Sequence, residues 1–232
     1  MVEHKGTLYG VSVGPGDPEL MTLQAVRRLQ MCPVIAAPQT KSGQMLALEI
    51  AQGAVDLSEK TIVPLQFPMT RDASVLQTAH AAAAESLRRY LDAGQDVAVL
   101  NLGDVSVYAT FGYLQQQLQP LGYTTVMLAG VPSFCAAAAR LNQSLTSGME
   151  QPLTIVPGRV AEKVLEHPGS KVLMKTGRQL PQTLEKLAAH GRLGQSAMVC
   201  NCGLPQEEVW PDLSQYDPAR PAGYFATILV KE

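Results

Sequence analysis

Short apolar runs alternate with stretches of helical spacing through the first half of the chain. TLYGVSVG (7–14), PVIAAP (33–38), TIVPLQF (61–67), DVAVLNLG (96–103) and TTVMLAG (124–130) are almost continuously apolar. That is the pattern of strands buried on both faces. Between them, the 3.6-residue period predicts helices over 18–31, 44–51, 72–93 and 108–118. A further helix opens within VPSFCAAAARL (131–141). For the 18–31 helix, Asp17 reads as N-cap and Pro18 as first helical residue, with Leu20, Leu23, Val26 and Leu29 on one face. Gly94 stops the 72–93 helix as a C′ glycine. Strand–helix units in succession predict a parallel sheet with helices on both faces.

The second half keeps strands but has fewer helices. LTIVPG (153–158), SKVLMKT (170–176), SAMVCNCG (196–203) and YFATILVK (224–231) read as strands, with one principal helix over 180–190. The expected fold is therefore α/β, in two α/β domains. Residues 1–130 form a five-stranded parallel sheet, and residues 131–232 form a smaller mixed sheet.

Composition narrows the class. The 232 residues are 46% hydrophobic and 16% charged, as in ordinary globular domains, with a formal net charge of −2. That charge argues against nucleic-acid or anionic-membrane binding over the whole surface. No run reaches the ~18 apolar residues of a membrane span. MVEHKGTLYG enters the first strand at once, without a signal-peptide core, so a cytoplasmic location is expected. Cys32 and Cys135 sit among apolar residues and read as buried thiols. Cys200 and Cys202, two apart in a strand-like run, should share a face, and no second Cys or His pair completes a metal site.

Three strands end in glycine-bearing turns that open helices: VGPGDPEL (13–20), NLGDVSVYAT (101–110) and AGVPSFCAAAA (129–139). Ligands of open α/β sheets bind at this carboxyl edge. Phosphate is a poor fit. Pro15 and Pro18 have no N–H to donate, Asp17 places negative charge at the turn, and neither the Walker A nor the G-x-G-x-x-G spacing is present. Asp104 adds a second carboxylate. A neutral or cationic ligand suits such a site, and a sulfonium such as S-adenosylmethionine meets that description. The alternative is that Gly14, Gly16 and Gly103 serve only as tight-turn residues. His4, His80, His167 and His190 all fall outside the three loops, and no nucleophile–His–acid arrangement is legible.

These loops, in this order and spacing, resemble the tetrapyrrole methylase family, S-adenosylmethionine-dependent enzymes of corrinoid and sirohaem synthesis. The resemblance runs from LYGVSVGPGDPELMTLQAVRRL to YFATILV. PVIAAPQT, QFPMTRD, PSFCAAAARL and LMKTGR are most similar to the branch that methylates C20 of precorrin-2 or cobalt-factor II. The uroporphyrinogen-III methylases are the nearest rival within the family. A rival of another class is a non-catalytic S-adenosylmethionine sensor.

The resemblance implies the tetrapyrrole methylase fold, a homodimer, S-adenosylmethionine as co-substrate and a tetrapyrrole as acceptor. By position it implies cofactor contacts at Pro15, Leu102, Gly103, Asp104, Val107, Ser133, Phe134, Met174, Lys175, Ala226 and Thr227. Many relatives carry glycine where this chain has Leu102, which narrows the cleft there. Asp104 and Tyr108 are the catalytic candidates. Asp104 is expected at the reacting centre, where it would accept pyrrole N–H groups; the alternative is that it caps a turn. The acceptor carries carboxylates, for which Lys41, Arg71 and Arg178 are candidate partners, with Lys175 close to the same turn.

Overall fold

The computed structural model describes residues 4–70, 72–218, 220 and 225–232, with the side chain of Arg178 outside the description. The chain divides into two compact units, the first running to Val131 and the second beginning at Pro132.

The first unit is built on five parallel strands, β1 (Leu8–Ser12), β2 (Val34–Gln39), β3 (Thr61–Gln66), β4 (Val97–Asn101) and β5 (Thr125–Leu128). Their order is β3-β2-β4-β1-β5. From β1 to β3 the chain steps one way across the sheet; from β3 to β5 it steps back. Right-handed crossovers therefore place α1 (Leu23–Met31) and α2 (Leu46–Gln52) on one face, and α3 (Ala73–Asp92) and α4 (Phe111–Leu118) on the other. The second face carries a core in which Leu87 and Leu91 of α3 meet Phe111, Leu114 and Leu118 of α4. Phe111 is fully buried over Gly10, where an added Cβ would stand 2.7 Å from its ring. Burying such a side chain stabilises by about 1.5–3 kcal/mol.

The second unit contains α5 (Ser133–Arg140), β6 (Leu153–Pro157), β7 (Ser170–Met174), α6 (Leu180–Ala189), β8 (Ser196–Cys200), β9 (Glu208–Trp210) and β10 (Ala226–Val230). The sheet order is β6-β7-β10-β8-β9, with β6 parallel to β7 and every other pairing antiparallel. The carboxyl ends of β6, β7 and β8 thus share an edge with the start of β10.

Several elements differ from their sequence reading. The helix expected over 18–31 is broken. Pro18–Leu20 forms one 3-10 turn capped by Asp17, which accepts from the Glu19 N–H at 2.9 Å. The chain is extended at Met21, and α1 starts afresh with Thr22 as cap, accepting from the Ala25 N–H at 3.1 Å. The buried face is then Ala25 and Leu29, and Leu23 is 72% exposed. The helix expected from 108 starts at Phe111, because Tyr108 holds a left-handed backbone (φ +49°). Cys135 is exposed. On α5 the buried positions are Phe134 and Ala136–Ala138, and Cys135 falls between them. Cys200 is buried but Cys202 is not, because β8 ends at Cys200 and the left-handed Asn201 (φ +51°) breaks the alternation. Strand β9 has no counterpart in the sequence reading. Its residues, Glu208–Trp210, alternate too briefly to show a period.

Candidate active site

The carboxyl edge of the first sheet gathers the turns after β1, β4 and β5. Gly14 and Gly103 both adopt left-handed backbone (φ +74° and +75°), open to glycine and strained for other residues. Their turns join directly: the Gly103 N–H donates to the Gly14 carbonyl at 2.7 Å. Pro15 and Gly16 are buried in the first turn. Pro18 packs on the end of α2, where a Cβ on Gly53 would meet its ring at 2.5 Å.

Asp104 ties the second turn to the third. One carboxylate oxygen accepts from the Ser106 N–H at 2.8 Å and from the Ser106 hydroxyl. The other accepts from the Gly130 N–H at 2.7 Å. Burial disfavours the Asp104 charge, but the bonds from Ser106 and Gly130 outweigh it and hold the carboxyl below its ordinary range. The carboxylate expected to receive pyrrole N–H groups thus already holds three protein donors, with 9% of the residue exposed.

Sequence reasoning gave no role to Ser12 or Gly130. Ser12 is fully buried; its hydroxyl donates to the Leu128 carbonyl at 2.7 Å and accepts from the Val105 N–H at 2.9 Å. A Cβ on Gly130 would fall 2.3 Å from the Ser12 Cβ. The available signal was one polar residue inside an apolar strand, LYGVS. A buried hydroxyl needs a partner, and here that partner lies on another turn.

Leu102 and Val107 are half-buried, and Tyr108 is 43% exposed on the same loop. The turns 13–20, 101–110 and 129–130 contain no Lys or Arg. The carboxylates of Asp17 and Asp104 are turned onto local donors. Glycine backbone and half-buried apolar side chains, without a cationic group, suit a neutral or cationic ligand with an apolar body and disfavour pyrophosphate. Lys41 is exposed in the turn after β2, two strand spacings from β1, or about 10 Å along the same edge. Arg71 lies outside the described residues.

The second unit assembles its own set of sequence-predicted residues. Met174 ends β7, and Lys175 follows with left-handed backbone (φ +53°). Surrounding protein desolvates the Lys175 ammonium and pulls its pKa below the ordinary lysine value, although the residue keeps surface exposure. The buried Thr176 hydroxyl donates to the Ala226 carbonyl at 3.2 Å. The hydroxyls of Ser133 and Thr227 lie 3.3 Å apart and join the start of α5 to β10. Phe134, the next residue of α5, is buried. Gly158, after β6, has room for no side chain, since a Cβ would stand 2.5 Å from the Thr176 methyl. The backbone of Arg178 belongs to the 3-10 turn Gly177–Gln179. Among the described residues, no group of His, Cys, Asp and Glu could hold a metal ion, and no helix is long and apolar enough to cross a membrane.

Comparisons with known proteins give this arrangement a context. The chain is 33% identical over 233 aligned positions to a cobalt-precorrin-2 C(20)-methyltransferase of Salmonella typhimurium, covering 98% of this chain and 97% of the relative. It is 31% identical to a precorrin-2 C(20)-methyltransferase of a Sinorhizobium species, over 97% and 95% of the two chains. A uroporphyrin-III C-methyl transferase from Thermus thermophilus, solved in complex with S-adenyl homocysteine, shares the fold. Its TM-score is 0.66 at 22% identity, over 98% of this chain and 92% of that one. Tetrapyrrole (Corrin/Porphyrin) Methylases match residues 7–215. With that span matched and these relatives aligned along almost its whole length, the chain belongs to the tetrapyrrole methylase family.

Proposed function

We propose that the protein is an S-adenosylmethionine-dependent methyltransferase that methylates C20 of precorrin-2 or its cobalt form, in cobalamin biosynthesis. The observation that carries this is the 33% identity to a cobalt-precorrin-2 C(20)-methyltransferase along 98% of the chain. Two features of the geometry support it. The joined turns at Gly14, Gly103 and Gly130 form a glycine-lined edge without cationic groups, which suits a sulfonium ligand. The second unit collects Met174, Lys175, Ala226, Thr227 and Ser133 along one sheet edge.

When bound, S-adenosylmethionine supplies the methyl group from its sulfonium. Pro15, Leu102, Gly103, Asp104 and Val107, on the turns of the first unit, would hold it. The acceptor carbon belongs to an electron-rich enamine-like system, and the leaving group is a neutral thioether. Alignment of the two reactants then carries much of the rate, with up to about 7–11 kcal/mol available from positioning. Asp104 contributes by fixing the turns after β4 and β5 to each other. Tyr108 offers a side chain on the same loop from a strained backbone, as residues at working sites often do. Lys41, with Arg71 and Arg178, would meet the acceptor's carboxylates. The four free thiols suit a reducing cytoplasm. A homodimer is the expected working state, and light scattering that returned only monomer would refute it.

The deciding experiment is an anaerobic methylation assay with S-adenosylmethionine, comparing metal-free precorrin-2 with its cobalt form. One methyl group at C20, located by mass and NMR analysis, is the expected product. A methyl group at another carbon would make the protein a different methylase of the family. Cofactor binding without transfer to any tetrapyrrole would make it a sensor.

A further inference from the structure

We infer that Ser12 is a positioning residue that sets the methyl-donor pocket of the first unit, a role that rests on the S-adenosylmethionine reading above. Val105 lies beyond the last residue of β4, Asn101, so the strand ladder gives its N–H no partner. The Ser12 hydroxyl accepts it at 2.9 Å and donates its own O–H to the carbonyl of Leu128, the last residue of β5, at 2.7 Å. One side chain of β1 thereby fixes both neighbouring turns. Asp104, just before Val105, accepts a hydrogen bond from the N–H of Gly130, two residues after Leu128, at 2.7 Å. Gly130 also rests against the Ser12 Cβ so closely that no side chain fits there. Two residues after Ser12, the Gly14 carbonyl holds the Gly103 N–H.

The hydroxyl is fully buried, so water cannot replace it without the turns opening. Deleting it leaves the Val105 N–H without its partner. The 102–105 turn then shifts to satisfy that donor, carrying Gly103 and Asp104 with it. Small displacements of positioning groups cost affinity and rate far more than they cost fold. Ser12 touches neither reactant in this scheme; it acts through the two turns.

The test compares Ser12→Ala with Ser196→Ala. Ser196 is an equally buried serine at the start of β8 whose hydroxyl donates to the Arg192 carbonyl at 2.8 Å. Calorimetric titration of each protein with S-adenosylhomocysteine is paired with thermal unfolding and with KM for both substrates. Both variants should lose stability, Ser12→Ala the more because two hydrogen bonds go rather than one. Ser12→Ala alone should raise the Kd for S-adenosylhomocysteine and the KM for S-adenosylmethionine by about tenfold, with the tetrapyrrole KM within about twofold of wild type. Ser12→Ala binding within about twofold of wild type, or an equal loss in Ser196→Ala, overturns the inference and leaves the methylase reading standing. Wild-type protein that fails to bind S-adenosylhomocysteine overturns both. If Ser12→Ala does not fold, Ser12→Cys, whose sulfur is a poor acceptor for the Val105 N–H, is compared in its place and read by the same outcomes.

Discussion

The Asp104 carboxylate accepts the backbone N–H of Gly130 at 2.7 Å, across 26 residues of sequence. Its other oxygen holds Ser106, two residues further along the same loop. Asp104 therefore links the turn after β4 to the turn after β5 through one charged group. Hydrogen bonds to an ionised acceptor are worth about 1.5–3 kcal/mol, more than neutral ones. The connection costs no flexibility in a long side chain, because aspartate has only two rotatable bonds.

Asp104→Asn separates the two roles considered for this residue. The amide keeps one acceptor oxygen, so its NH2 must face either the Gly130 or the Ser106 donor. The variant should lose about 1–3 kcal/mol of stability. Its affinity for S-adenosylhomocysteine should fall, because the turn at Gly103 loses its tether to Gly130. Titration calorimetry gives the answer. Unchanged affinity with a large loss of turnover would return Asp104 to the reacting centre.

Gly130 and Gly112 should respond in opposite directions to the same substitution. A Cβ on Gly130 would lie 2.3 Å from the Ser12 Cβ, in a region with no room to relax. Gly130→Ala should cost about 1–3 kcal/mol, as overpacking does. Gly112, inside α4, has nothing within 4 Å of an added Cβ. Gly112→Ala should stabilise by about 0.4–1 kcal/mol, by restricting the unfolded chain and favouring helix. Urea unfolding of the two variants beside wild type measures both, and equal shifts would refute the packing account.

Sequence and structure agree where periodicity is long and uniform. The five apolar runs of the first half became five parallel strands, and the stop signal of the 72–93 helix holds. Asp72 accepts from Ser74 and Val75, and Gly94 is left-handed at φ +73°. Agreement fails where a local hydrogen bond competes with the period. Thr22 starts a new helix because its hydroxyl captures the Ala25 N–H, a choice invisible in an apolar pattern that runs on from Leu20. Tyr108 lies ahead of α4 and Asn201 follows β8, both with left-handed backbone, which no pattern of side-chain polarity encodes. For the site, the glycine turns were legible because each ends an apolar run and opens a helical one. The joining of those turns was not, because Ser12 and Asp104 find partners on Leu128, Val105 and Gly130 only once the sheet brings them together.

The cysteines give a graded prediction. Cys135 is exposed, so a neutral aromatic disulfide reagent should reach it in the folded protein. Burial pushes the Cys32 thiol up to about 11, with Asp96 adding to the shift and Arg28 opposing it. The reactive thiolate is then scarce at neutral pH. Cys200 is buried in β8. Peptide mapping after brief labelling should find Cys135 modified, and Cys32 and Cys200 modified only in denaturant. Fast labelling of Cys32 in native protein would contradict the burial of the α1 end.

The last prediction concerns acid. The Asp104 carboxyl is held below its unfolded value: burial works against the charge, and the bonds from Ser106 and Gly130 prevail. A group whose folded pKa is depressed adds stability above its unfolded pKa and loses it as pH falls through the folded one. Wild type should therefore shed the Asp104 contribution from about pH 4 downward. Asp104→Asn has no such ionisation to lose. Asp72 and Asp212 also have depressed values, but they are present in both proteins and cancel in the comparison. The stability gap between wild type and Asp104→Asn, measured by urea unfolding, should be constant from about pH 7 to 5 and close progressively below about pH 4. A gap that stayed open into acid would mean that carboxylate charge does not hold the turns together, and that oxygen geometry alone does.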